Sequence, residues 1–328
     1  MSGINELNNE GLRRINNILE QNPDYLRGYV NFLTDLSINT RYQYAIDVIS
    51  FMKYINKSVE QLTEEDFISY IACKKYKDNG EEVTASCQIK IYSALKRFSE
   101  YLFYVKKINR NFMADIKKPR AKESQKTKQK REKGFLTDEE IKIVLKELDK
   151  QKIFFEEYGR ELKIRDKAIL YVFLTTGIRK SALRALDIES VDFKNRILNV
   201  VDKGSKVRNI YISKELVHIL DEWIQARSRM LRDFDKTDAL FISIKMKRIS
   251  LKGIDKLVEK YCSCINGKNI TPHKLRATYG TNLYEKTHDI KFVQECMGHT
   301  STSVTERYIR GRQNKTKEAS DIMSNLIK

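Results

Sequence analysis

The sequence predicts a mainly α protein with a small β-sheet, built as two domains: a helical bundle, then a mixed α/β unit. Three observations carry that expectation. Only 3 prolines and 13 glycines interrupt the 328 residues, so long helices should dominate. One strand–turn–strand pattern, around residues 197–212, stands apart from the helical periodicity. Between the two blocks, residues 117–133 read KKPRAKESQKTKQKREK, nine basic residues against two acidic ones, with no large apolar side chain. Such a run buries too little surface to offset its ordering entropy and is expected to be a linker. The expected organisation is an N-terminal extension over 1–22, a helical domain over 23–116, the basic linker over 117–133, a second domain over 134–310 and a C-terminal tail over 311–328. The length suffices for two domains, each with its own core.

In the first domain, helices are expected over Pro23–Ser37, Asn39–Ile55, a segment opening at Thr63, and Thr84–Tyr104. Tyr42, Ala45, Ile46, Ile49 and Met52 fall at helical spacing in the second of these. Thr63-Glu64-Glu65-Asp66 supplies an N-cap, and acids that suit the positive end of a helix. In the second domain, Thr137 followed by Asp138-Glu139-Glu140 marks a helix start, and a helix over Arg165–Thr175 should stop at Gly177. Strands Ile197–Val201 and Val207–Ile212 flank the turn Asp202-Lys203-Gly204-Ser205-Lys206. Helices follow over Lys214–Leu231 and Leu251–Cys262, then one capped by Thr271 with Pro272 at its first position, where a missing N–H costs nothing. Short helices near Asp289–Cys296 and Ser303–Arg310 close the domain, and Ala319, Ile322, Met323, Leu326 and Ile327 form a narrow apolar stripe in the tail.

Charge narrows the partner. Lys and Arg outnumber Asp and Glu by 62 to 44, a net charge of +18, with a pI near 9.5. Such a surplus points to a polyanion, because each Lys or Arg laid on a phosphate releases condensed counterions. A solvated, merely Lys-rich surface is the plainer alternative. On the nucleic-acid reading, the 117–133 run is a strap along phosphates that lets two domains close on DNA. No apolar run approaches the ~20 residues that span a bilayer, and residues 1–20 carry no signal-peptide core, so a cytoplasmic protein is expected. The five cysteines, Cys73, Cys87, Cys262, Cys264 and Cys296, read as reduced thiols, and no His–Cys cluster of zinc-ligand spacing accompanies Cys262 and Cys264.

Phosphodiester transfer requires a nucleophile, positive charge around the pentavalent phosphate and an acid for the leaving oxygen. Without a metal-ligand pattern in the sequence, Arg, Lys and His are the candidates for that charge. His273 and Arg276, three apart, share a helix face. Arg179 follows Gly177 at a helix start, Lys203 sits in the hairpin turn, His299 follows Gly298, and Tyr308 lies nine residues later. Taken singly, each has a plainer reading as a surface or core residue. Their joint order and spacing carry the weight.

These residues resemble the tyrosine recombinase (phage integrase) family, which includes Xer-type resolvases. The resemblance rests on Thr175-Thr176-Gly177-Ile178-Arg179, Asp202-Lys203-Gly204-Ser205-Lys206-Val207-Arg208, Pro272-His273-Lys274-Leu275-Arg276-Ala277-Thr278, Met297-Gly298-His299-Thr300 and Thr305-Glu306-Arg307-Tyr308, with 23 residues from Arg276 to His299. It covers nearly all of 134–308, and the helical block and basic linker fit the family's core-binding domain. The resemblance implies a catalytic set of Arg179, Lys203, His273, Arg276, His299 and Tyr308. Tyr308 would attack the phosphodiester to leave a 3′-phosphotyrosyl bond, and Arg179 and Arg276 would hold the non-bridging oxygens. Lys203 would protonate the 5′-oxygen, His273 would move the tyrosine proton, and His299 would hydrogen-bond the phosphate. It implies no cofactor, ATP or metal. The implied partners are a double-stranded DNA recombination site, a tetramer on DNA assembled through the C-terminal tail, and an accessory DNA-bending or directionality factor.

One position departs from the family pattern. The acid usual three residues after the first arginine is Ala182 here, with Asp187 a weak substitute nearby. Resolution of chromosome dimers and integration or excision of a mobile element remain equally open. The alternatives from other classes are a DNA-binding relative without catalysis and a type IB topoisomerase-like relaxing enzyme. Base-reading side chains are expected around Thr40–Lys53, Thr84–Arg97 and Leu251–Lys260.

Overall fold

The structure is a computed structural model describing residues 2–76, 79–120, 134–150, 158–202, 207–232 and 235–298. The hairpin turn beyond Asp202 and everything expected after Gly298 lie outside the described residues, as does most of the basic linker. The chain divides into two compact units, residues 5–124 and residues 125–328, the second also taking residues 1–4 at the start of the first helix.

The first unit is helical: α1 (Ser2–Glu20), α2 (Asp24–Phe32), α3 (Ile38–Ile55), α4 (Glu64–Cys73) and α5 (Ala85–Tyr104). Local rules set its boundaries. Thr63 and Asp66 close a reciprocal capping box, the Thr63 N–H donating to Asp66 Oδ2 at 2.8 Å. Ser37, extended at φ −61° and ψ 150°, accepts from the Thr40 N–H at 3.3 Å and starts α3. α2 stops at Phe32 and does not run to Ser37 as expected: Leu33 leaves the helical region at φ −88° and ψ 33°, and Ser37 is extended to cap the next helix. The core joins α2, α3, α4 and α5 through Leu26, Tyr29, Phe51, Phe67 and Phe98, all fully buried. Phe51 and Phe67 pack at a 38° tilt with centroids 4.7 Å apart, and the Tyr29 hydroxyl donates to the Ala94 carbonyl at 2.9 Å, so its one polar side-chain atom is satisfied.

Residues expected as an N-terminal extension instead form the 19-residue helix α1. Leu7, Gly11, Ile15, Ile18 and Leu19 recur at three- and four-residue intervals and are buried or half-buried, with Ile15 and Leu19 joining the core.

The second unit runs α6 (Asp138–Lys150), α7 (Gly159–Thr176), α8 (Lys180–Ala185), β1 (Val191–Asp192), β2 (Ile197–Val201), β3 (Val207–Tyr211), α9 (Lys214–Met230), α10 (Leu251–Cys262), α11 (Pro272–Thr287) and α12 (Ile290–Met297). The strands form an antiparallel sheet in the order β1-β2-β3, with Leu198 opposite Ile210 and Val200 opposite Arg208. Leu198 and Val200 face the core, which turns Arg208 to that same face.

α7 lies at the centre of this unit, burying Ala168, Ile169, Leu170, Val172 and Phe173 completely, and α9 and α11 pack against it. It begins at Gly159, six residues before the expected Arg165, and Leu162 carries its apolar face backward. Trp223 of α9 is fully buried and donates through Nε1 to the Leu240 carbonyl at 2.8 Å. The expected caps at Thr137 and Thr271 are present: Thr137 pairs reciprocally with Glu140, and Thr271 Oγ1 accepts from the Lys274 N–H. Asp289, expected within the next helix, instead caps it, its Oδ1 accepting from the Lys291 and Phe292 N–H groups.

Candidate active site

The site is built where α7 ends. Gly177 closes that helix with φ +58°, and a Cβ there would lie 2.3 Å from Tyr279 Cδ1. Only glycine gives both the left-handed turn and the close approach of α11. Two residues on, Arg179 caps α8, its side chain 34% exposed.

Arg276, on α11, is 2% exposed. Its Nη1 donates to the Gly177 carbonyl, and its Nη2 donates to the Met297 carbonyl at 2.6 Å. Both acceptors sit at helix C-termini, α7 and α12, where carbonyls lack intrahelical partners and the helix dipole favours a cation. One buried guanidinium therefore joins the segment bearing Arg179 to the segment that leads into His299. The planar fork suits two carbonyls, and two bonds fix its plane.

His273 stands one helical turn before Arg276 and is an exposed residue. Partial desolvation by the packed atoms around it, then the positive charges of Arg276 and Arg179, hold its pKa below the usual 6.5. At neutral pH the imidazole is mainly uncharged, the form able to accept a proton. The three candidates Arg179, His273 and Arg276 are thus brought together from α8 and α11. Lys203, His299 and Tyr308 lie outside the described residues. The residues just before two of them are placed: Asp202 ends the described part of the hairpin, and Gly298 closes α12 with φ +62°.

Asp202 and Arg208 were not among the expected site residues. Asp202 Oδ1 accepts from Arg179 Nη1, and Oδ2 accepts from Arg208 Nε at 3.0 Å. Arg208 Nη1 donates to the Cys296 carbonyl in the last turn of α12. The signal was present in the alternation of the hairpin, since Val200 and Asp202 share a face and Arg208 pairs with Val200.

Asp187, the weak substitute for the acid missing at Ala182, is committed elsewhere. It is 1% exposed, accepts from Arg248 Nη2 at 2.6 Å, and caps the turn Ile188–Ser190. Its carboxylate therefore holds Arg248 and the turn that leads into β1.

Residues 134–315 match the model of the phage integrase family. The chain belongs to this family, the tyrosine recombinases. It is similar to a tyrosine recombinase XerC of Caldanaerobacter subterraneus subsp. tengcongensis, 27% identical over 326 residues, covering 90% of this chain and 86% of that protein. A tyrosine recombinase XerC of Corynebacterium efficiens is 34% identical over 155 residues, spanning 47% of this chain and 49% of the relative. Among solved structures, the fold resembles XerH site-specific recombinase bound to palindromic difH substrate in a post-cleavage complex, with TM-score 0.71, 20% identity, and 96% and 89% of the two chains covered. As a phage integrase family member, the chain places Arg179, His273 and Arg276 together with an acid, Asp202, on the hairpin side.

Proposed function

We propose that the protein cleaves and rejoins duplex DNA at a specific site through a 3′-phosphotyrosyl intermediate and a Holliday junction. The convergence of Arg179, His273 and Arg276, with His273 held toward its neutral form, supports this reading most directly. The Tyr308 oxygen attacks phosphorus, the bond from phosphorus to the 5′-oxygen breaks, and the tyrosine proton passes to His273. Lys203 returns a proton to the 5′-oxygen, and His299 hydrogen-bonds a non-bridging oxygen. Arg179 and Arg276 stabilise charge that grows on those oxygens in the transition state. The energy of the broken bond is kept in the phosphotyrosine, so a 5′-hydroxyl from a partner duplex reverses the step. The first unit and the excess of basic side chains hold the DNA, and the tail after Gly311 docks on a neighbouring protomer in a tetramer. Action on cytoplasmic DNA follows, whether in dimer resolution or in movement of an element.

The test is incubation with nicked duplexes of random internal sequence, followed by recovery of DNA that stays attached to protein in hot detergent. A common sequence among the attached molecules is the expected result. Attachment without sequence enrichment would support a relaxing topoisomerase. Sequence-selective binding without attachment would support a DNA-binding relative that has lost catalysis.

A further inference from the structure

We propose that Asp202 is the positioning acid of this site, performing from the end of β2 the task that the family assigns to an acid at the place of Ala182. The inference rests on the recombinase reading above and concerns how its first arginine is oriented.

Ala182 is 4% exposed and packs in the core of the second unit, so no carboxylate reaches Arg179 from α8. The charge comes instead from the hairpin. Each oxygen of the Asp202 carboxylate holds one guanidinium, Arg179 on one side and Arg208 on the other. Arg208 is in turn anchored to the Cys296 carbonyl at the end of α12. A Cβ added at Gly298 would fall 2.9 Å from Arg208 Nε and 3.0 Å from Asp202 Oδ2, so the helix end rests directly on this pair. The network ties three places together: the start of α8, the hairpin just before Lys203, and the helix end just before His299.

Two physical effects follow. A guanidinium has five donors in a rigid plane, and an acceptor fixed at Nη1 sets the direction in which the others point. A carboxylate between Arg179 and Arg208 also offsets the repulsion between these two cations before a phosphate arrives. The Asp202 side chain is 11% exposed and Arg208 19%, whereas Arg179 is 34% exposed. The braced side of the network is covered, and the arginine that meets the phosphate stays open to solvent. Such supporting partners commonly matter by one to two orders of magnitude.

The experiment is a double-mutant cycle on the full-length protein, read as single-turnover cleavage of a nicked substrate alongside DNA affinity and thermal melting. Asp202→Asn is expected to slow cleavage about 10- to 100-fold, with affinity and melting held. Asp202→Glu is expected to retain most of the rate. In an Arg179→Lys background, Asp202→Asn should cost less than about twofold, because the acid acts through that arginine. Cleavage by Asp202→Asn within twofold of the unaltered protein overturns the proposal, as does an equal cost in both backgrounds. If Asp202→Asn does not fold, the double variant A182D/D202N supplies the acid from α8: recovered cleavage supports the proposal, and a folded double variant without cleavage overturns it. Absence of any covalent product from the unaltered protein would defeat the recombinase reading itself, a result distinct from those above.

Discussion

Replacing Arg276 by lysine separates its two roles. The side chain is 2% exposed, and its guanidinium satisfies the carbonyls of Gly177 and Met297 at two helix ends. A hydrogen bond from a charged donor contributes about 1.5–3 kcal/mol, and an unsatisfied buried carbonyl costs about 1–3 kcal/mol. Lysine keeps the charge and reaches one carbonyl, so Arg276→Lys should destabilise the second unit by about 3 kcal/mol. With a urea dependence of about 2 kcal/mol per molar, the midpoint falls by about 1.5 M. Trp223 is the only tryptophan and is buried in this unit, so its fluorescence reports the transition without interference from the first unit. Cleavage should fall about 10²- to 10³-fold, as for loss of one donor aimed at a transition-state oxygen. An unchanged midpoint with cleavage abolished would refute the reasoning, because it would mean that the two carbonyl bonds contribute nothing to folding.

Three further outcomes follow from the same geometry. The His273 ring should titrate below 6.5 by NMR, and cleavage should decline as pH falls through that value. Because folding lowers this pKa, the unfolded chain binds the proton first, so stability from His273 is complete above pH 6.5 and is lost as pH falls below it. His273→Ala should remove that acid limb of the rate, and an unchanged limb would exclude His273 as its source. Gly177→Ala forces a left-handed non-glycine residue, about 1–2 kcal/mol, and drives a methyl group against Tyr279, about 1–3 kcal/mol more; a urea midpoint matching that of the unaltered protein would contradict this. Asp187→Ala removes the carboxylate that faces the buried Arg248 guanidinium and leaves it only neutral carbonyl acceptors such as those of Arg184 and Leu186, at about 3–5 kcal/mol. Cleavage per folded molecule should nonetheless be unchanged, and a specific loss of rate would return Asp187 to the site.

Local chemistry made much of this fold legible in the sequence. The caps at Thr63, Thr137 and Thr271, and the stop at Gly177, are decided by residues within one turn of each other. What escaped depends on context farther away. α1 was missed because Gly11 thins its apolar stripe, and glycine in a helix reads as an interruption until a neighbour, here Ile38, is seen to need the space. β1 is two residues long and exists only through pairing with β2. The burial of Arg276 was not legible either, since arginine ordinarily reads as surface, and its carbonyl partners lie 99 and 21 residues away. Asp202 lies within the hairpin motif, but its partnership with Arg179 spans 23 residues and requires the strand register to be known.

The central claim is that Tyr308 forms the covalent bond. It is tested most directly by protease digestion of the trapped protein–DNA product and mass spectrometry of the nucleotide-bearing peptide. Tyr279 is the natural control, a tyrosine beside Gly177 whose pKa burial pushes up to about 12 and whose hydroxyl engages Cys296. The account predicts a 3′-linked nucleotide on Tyr308, no product with Tyr308→Phe, and undiminished product with Tyr279→Phe. A nucleotide on Tyr279 or any other residue, or product surviving Tyr308→Phe, would contradict it.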